Sequence, residues 1–304
     1  MDIYKINKHY SLYLFFLIIL IIVPLVKMIN VEIQYTNLFC FFLISTIGIM
    51  HGSLDNIKGI KILKFYGIKN KYLFYLSYVF ISILVIGLWF ILPNLILSIF
   101  LLIAAYHFGK EDCNCGIKIE NKFVDFFYLL KGSIVILAPL FLKKDQTIEI
   151  FETINYQLLL VSNEQLILPL IFLSFLSNFF LAYWGKSNGF IIADWFTIIA
   201  LNATFSPLVA FTIYFCFLHS VRHSLSLIYE INKISFNKGL TSFLKKSLPL
   251  TFITCTTFII GVYVLNNYFS LNSAVLKVVF IGLASLTFPH ILLEYLLEKN
   301  EKRT

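Results

Sequence analysis

Charge is what this chain has least of. Only 13% of its 304 residues are Asp, Glu, Lys or Arg, about half of the ~25% usual in soluble domains. With 59% hydrophobic residues and a mean hydropathy of +0.86, the chain carries more apolar surface than a water-soluble core can hide. That excludes a soluble globular enzyme and implies an all-α fold, a polytopic transmembrane helical bundle. A disulfide framework is lacking too: Cys40, Cys113, Cys115, Cys216 and Cys255 show no paired spacing. Cysteines inside apolar spans behave as small buried hydrophobes, and nothing near Cys113 and Cys115 completes a soft-metal site. No small-residue cleavage site follows the apolar run 11–26, although Lys5 and Lys8 precede it. The run therefore reads as a first membrane helix rather than a signal peptide. The net charge of +8 comes from lysines and arginines scattered over short loops, which suits loops facing the cytoplasm and argues against nucleic acid.

A membrane span needs roughly 20 apolar residues. Ten candidates cover approximately 11–29, 35–54, 73–91, 94–109, 123–142, 163–183, 190–206, 207–229, 247–266 and 274–296. The fourth and seventh are short, so eight to ten crossings are expected. Proline tends to close one helix and open the next, which makes Pro93-Asn94 and Ser206-Pro207 tight joins. With the N-terminus inside, eighteen lysines and arginines fall in cytoplasmic segments and three (Lys27, Lys143, Lys144) in outer ones; Lys131, Arg222 and Lys277 lie within spans. This bias places both termini in the cytoplasm and the chain in the cell's inner, cytoplasmic membrane.

Five of the six histidines, His51, His107, His219, His223 and His290, lie inside or at the ends of these apolar runs. Imidazole in hydrocarbon is costly and marks a functional site by default, and neutral imidazole is the commonest metal ligand. His51 and His107 close the second and fourth spans. His219 and His223 occupy the inner half of the eighth, and His290 the last third of the tenth. All four spans run inward, so the imidazoles arrive at similar depth. His219 and His223 stand at i and i+4, which stacks them on one helix face as a ready metal clamp.

The surroundings repeat a pattern. His51-Gly52-Ser53-Leu54-Asp55 and His107-Phe108-Gly109-Lys110-Glu111-Asp112 each give His, then Gly, then an acid three residues past that Gly. The glycines would let a helix end approach a neighbour closely. Asp55 and Asp112 either accept a hydrogen bond from a ligating imidazole or simply mark the membrane boundary. Arg222 either pairs with an acid, Glu294 being a candidate, or snorkels inward. Imidazole ligands suit Zn, Fe, Cu or Ni, and the chemistry alone does not choose among them.

The blocks at 51–55, 107–112, 214–223 (Tyr-Phe-Cys-Phe-Leu-His-Ser-Val-Arg-His) and 280–290 (Phe-Ile-Gly-Leu-Ala-Ser-Leu-Thr-Phe-Pro-His) resemble the Brp/Blh family of bacterial and archaeal membrane β-carotene 15,15′-dioxygenases. The resemblance runs in matching order from about residue 40 to the end. It divides the chain into an N-terminal extension with the first span (1–34) and a catalytic bundle (35–304). It implies a carotenoid-cleaving dioxygenase that uses O2 to cut the central double bond of β-carotene drawn from the bilayer, giving two all-trans-retinals. It also implies Fe2+ held by His51, His107, His219 and His223, which would be both the catalytic and the metal-binding residues. His290 would be a further ligand, a second-sphere group or a substrate contact. Retinal would leave into lipid or pass to a rhodopsin-type acceptor.

Rival readings fit less well. Two-iron desaturases and hydroxylases need more histidines, in clustered boxes. A metal or proton transporter would spread acids over several depths, and here the acids gather at helix ends. An assembly factor for a retinal protein would need no metal.

Overall fold

The computed structural model describes residues 3–29, 35–113, 122–154, 164–184 and 190–301. Helices account for nearly all of these residues, and none of them is in a strand. Among the described residues, nine helices are long and apolar enough to cross a bilayer: α1 (Lys5–Val26), α2 (Thr36–Phe65), α3 (Tyr72–Ile91), α4 (Pro93–Cys113), α5 (Phe123–Leu142), α7 (Gln165–Trp184), α9 (Pro207–Ile231), α10 (Phe236–Leu265) and α11 (Leu271–Glu301). Two shorter helices intervene, α6 (Lys144–Thr153) and α8 (Phe190–Thr204). The chain is therefore a multi-pass membrane protein. In lipid every backbone polar group must find its partner internally, and a helix achieves this within one segment.

Several expected boundaries move. The seventh candidate span is α8, whose fifteen residues rise only about 22 Å at ~1.5 Å each, short of a ~30 Å hydrocarbon core. The fourth candidate is longer than expected, with α4 spanning 21 residues. His51 does not close its span either, because α2 continues to Phe65. Both expected proline joins are helix starts: α4 begins at Pro93, and Pro207 opens α9 behind an extended Ser206.

Core packing brings α2, α4, α9 and α11 together. The α4–α5 contact is the tightest. A Cβ on Gly109 would stand 1.8 Å from the Tyr128 carbonyl oxygen, and one on Gly132 1.8 Å from that of Ala105. These two glycines let the helices meet backbone to backbone, as small residues do in membrane packing. Gly52, the matching glycine in the other repeat, has no such role, since a Cβ there would meet nothing nearer than Asp55 at 4.0 Å. Outward faces carry exposed Phe, Leu, Ile and Tyr, such as Phe80, Leu76, Phe252 and Ile260, as lipid requires.

Candidate metal centre

The five histidines from four helices meet in one cluster. Ring centroids lie 5.2 Å apart for His51 and His219, 5.3 Å for His219 and His107, 5.2 Å for His107 and His290, and 5.6 Å for His290 and His51. These four close a ring. His223 stands beside it, 5.2 Å from His51 and 6.2 Å from His290. All five are buried, His219 most completely at 1% exposure.

Irregular helix turns aim these side chains. His219 lies in a π-helical stretch, Tyr214–Ser220, and a second one, Ile44–Gly48, precedes His51. His51 itself occupies a 3₁₀ turn, Met50–Leu54. Such departures from α geometry are frequent at functional sites because each re-aims the residues that follow. The His219/His223 pair consequently spans a change of helix type, and its rings sit 6.5 Å apart at 28° to each other.

Four of the five imidazoles are tethered through Nδ1. His219 contacts Asp112 at 2.9 Å, His223 contacts Glu111 at 3.1 Å, and His290 contacts both oxygens of Asp55 at 2.9 Å. His51 lies 3.0 Å from the Ser220 hydroxyl. That hydroxyl donates its proton to the Gly48 carbonyl at 2.6 Å, so His51 Nδ1–H is the donor. His107 Nδ1 stands 3.5 Å from Glu294, longer than a good hydrogen bond. With Nδ1 as the donor in these four, Nε2 is the atom left to bind a metal. Nε2 of His219, His223 and His290 is buried there without a hydrogen-bond partner. Converging, unpartnered imidazole lone pairs are the donor set of a transition metal. Possible ligand atoms of His51, His107 and His290 already lie within 4.8 Å of one another. The residues present fit a bound divalent metal.

The tethers are themselves anchored. Asp112 accepts the Tyr214 hydroxyl at 2.6 Å and lies 3.2 Å from the Arg222 guanidinium; Asp55 accepts the Tyr78 hydroxyl at 2.9 Å. Arg222 does not pair with Glu294 and does not snorkel. It is buried between Asp112 and Asp194 of α8, and donates to Ser11 at 3.0 Å. A guanidinium this deep is tolerated only when paired, and two carboxylates lay within its reach. Glu294 instead bonds Lys58 at 3.0 Å, beside the histidines. Sequence reasoning missed Asp194, Glu111, Tyr78 and Tyr214. Asp194 had a visible signal, being the one acid in the apolar run 190–206. Of the Cys113 and Cys115 pair, Cys113 is buried and Cys115 lies outside the described residues.

On one side the cluster opens into a cavity of about 630 Å³, lined by His51, His107, His219 and His290 and otherwise chiefly by apolar side chains. Phe74 and Phe90 of α3 both line it, and at ~1.5 Å per residue they lie roughly 24 Å apart along that helix. Tyr78, the anchor of Asp55, marks the depth of the histidines between them.

A family profile described as beta-carotene 15,15′-dioxygenase matches residues 42–298. The chain belongs to that family. It is 28% identical over 275 residues to the beta-carotene 15,15′-dioxygenase of uncultured marine bacterium 66A03, covering 86% of this chain and 94% of the relative. No solved structure matches. The family match contains all five clustered histidines and leaves α1 outside. Yet α1 bonds directly to the helix that bears two of them. Tyr10 donates to the Phe217 carbonyl at 2.8 Å, and Ser11 contacts Arg222 as above.

Proposed function

We propose that this chain cleaves the central 15,15′ double bond of β-carotene with O2, giving two molecules of all-trans-retinal, at ferrous iron held by the clustered histidines in the cell's cytoplasmic membrane. Both oxygen atoms are accounted for, since one C=C bond and one O2 become two C=O groups. The observation that carries the reading is the opening of four converging imidazoles into a long apolar cavity. His51, His107 and His219 line that cavity as donors, and His223 completes the four-histidine set that the family resemblance implies. A bound metal would supply activation of O2.

The remaining work falls to the protein's own groups. β-Carotene offers no polar handle, so its selection rests on the shape and length of the apolar cavity. Walls such as Phe108, Phe211 and Phe258 exclude water from the polyene. Along α3 the cavity extends about 6 Å from the depth of Tyr78 to Phe74 and about 18 Å to Phe90, so a polyene lying in it would run past the histidines. Positioning of this kind supplies much of an enzyme's advantage. The Nδ1 tethers hold the imidazoles in one tautomer. Retinal is apolar enough to leave into lipid or reach a rhodopsin-type acceptor there. A transporter is disfavoured because Asp55, Glu111, Asp112 and Glu294 all gather around the imidazoles, with no ladder of acids across the described spans.

The test is expression in a β-carotene-accumulating bacterium, with His107→Ala and His219→Ala as controls and pigments quantified by chromatography. Loss of carotene with about two retinals per carotene, abolished in both variants, is the expected result. Unchanged pigment alongside well-expressed, iron-loaded protein would sink the reading.

A further inference from the structure

Glu294 stands among the ring nitrogens of three histidines, where its hydrogen bond from Lys58 alone does not account for it. It sits one helical turn after His290 on α11. Its Oε1 stands 3.5 Å from His290 Nε2 and 3.9 Å from His223 Nε2, while Oε2 stands 3.5 Å from His107 Nδ1. His290 and His223 spend their Nδ1 protons on Asp55 and Glu111. It is therefore the Nε2 atoms that face Glu294, and neither has a hydrogen-bond partner. A carboxylate oxygen and two unpartnered imidazole nitrogens this close form a donor group that one cation among them would join. Lys58 supplies one cation, bonded to Oε1 at 3.0 Å, but it touches neither ring nitrogen.

We propose that Glu294 is a ligand of the metal centre, joining His290 and the neighbouring imidazoles from the side turned away from the cavity. Among the described residues that line the cavity, neither Glu294 nor His223 appears, so a ligand there leaves the cavity side open to O2 and substrate. Charge supports the same arrangement. Neutral imidazoles bring no charge to a buried divalent ion, and Asp55, Glu111 and Asp112 compensate it only from behind the rings. One carboxylate halves the ion's charge. Independent grouping of donor atoms points the same way, since His107, Glu111 and Glu294 also bring ligand atoms within 4.8 Å of one another. The centre would then be a mixed histidine–carboxylate site rather than an all-histidine one. The inference rests on the metal reading above.

The test measures metal affinity, not turnover. The full chain is purified in detergent, stripped, and titrated anaerobically with Fe(II), and in parallel with Zn(II), against a competing chelator. Variants are Glu294→Gln and Glu294→Asp. The expected result is a ten- to hundredfold or greater weakening in Glu294→Gln and partial recovery in Glu294→Asp. The metal-free melting temperature of Glu294→Gln should match that of the unaltered chain. Unaltered affinity in Glu294→Gln, or an equal loss of stability with and without metal, would overturn the proposal. If the unaltered chain binds neither ion, the metal reading itself falls; if it binds both and Glu294→Gln does too, only the present inference does.

Discussion

The two sides of the histidine cluster are built from opposite materials. Toward the cavity, imidazoles meet Phe108, Phe215 and other aromatic or aliphatic walls. Away from it they meet Glu111, Asp112 and Glu294, which Tyr214, Arg222 and Lys58 hold in turn, while Asp55 and its partner Tyr78 stand at the border and line the cavity as well. The cavity side is chiefly apolar and shapes what can approach. The polar side holds His51, His219, His223 and His290 through Nδ1. Few residues serve both, so the two tasks should come apart under mutation.

The largest effect is expected where the polar side bears buried charge. Asp194→Leu leaves Arg222 with Asp112 alone in a dry interior, and removing one partner of a buried pair costs about 3–5 kcal/mol. Thermal unfolding in detergent should show a clear loss, and an unchanged melting temperature would mean that Arg222 reaches water. Next, Asp112→Asn replaces the charged acceptor of His219 Nδ1–H by a neutral amide oxygen. Metal affinity should fall about 10–100-fold, the usual effect of losing such a carboxylate, as read by chelator competition. Ala104→Phe would break the comparison from the other side. Ala104 is buried and lines the cavity, so added bulk should depress turnover of long polyenes while metal content stays at parity. Joint loss of both would show that the sides are not separable. Smallest of all is Lys110→Ala. Its ion pair with Glu298 is partly solvated, with side chains 32% and 42% exposed, and pairs of this kind contribute ~0–1 kcal/mol.

The bundle was legible in the sequence because apolar length alone dictates membrane helices, and α8 fell short for the plain reason that it lacks residues. The histidines stood out because imidazole is rare in such runs. The acids around them were harder to read. Helical spacing puts Glu294 on the face of His290 but does not say which neighbour that face meets, and Arg222 could equally have met Glu294 or Asp194. The π-helical turns before His51 and through His219 leave no spacing signature, because an extra residue per turn comes from packing against a neighbour. The proximity of α1 to Arg222 was likewise invisible, being set by contacts two hundred positions apart in the chain.

The ion pair between Arg222 and Asp194 also bears on how the polypeptide enters the bilayer. A lone arginine in the middle of a membrane segment opposes insertion by ~2.5–3.5 kcal/mol, and a lone aspartate does so comparably. Here the two charges sit on consecutive segments, α8 and α9, joined by the tight turn at Ser206-Pro207. Partitioned as a hairpin, they enter as a neutral unit and neither charge meets lipid alone. The short helix thus acts as an escort for the segment that carries His219 and His223, and separating the two by a long soluble insertion after Phe205 should leave α9 stranded outside the membrane.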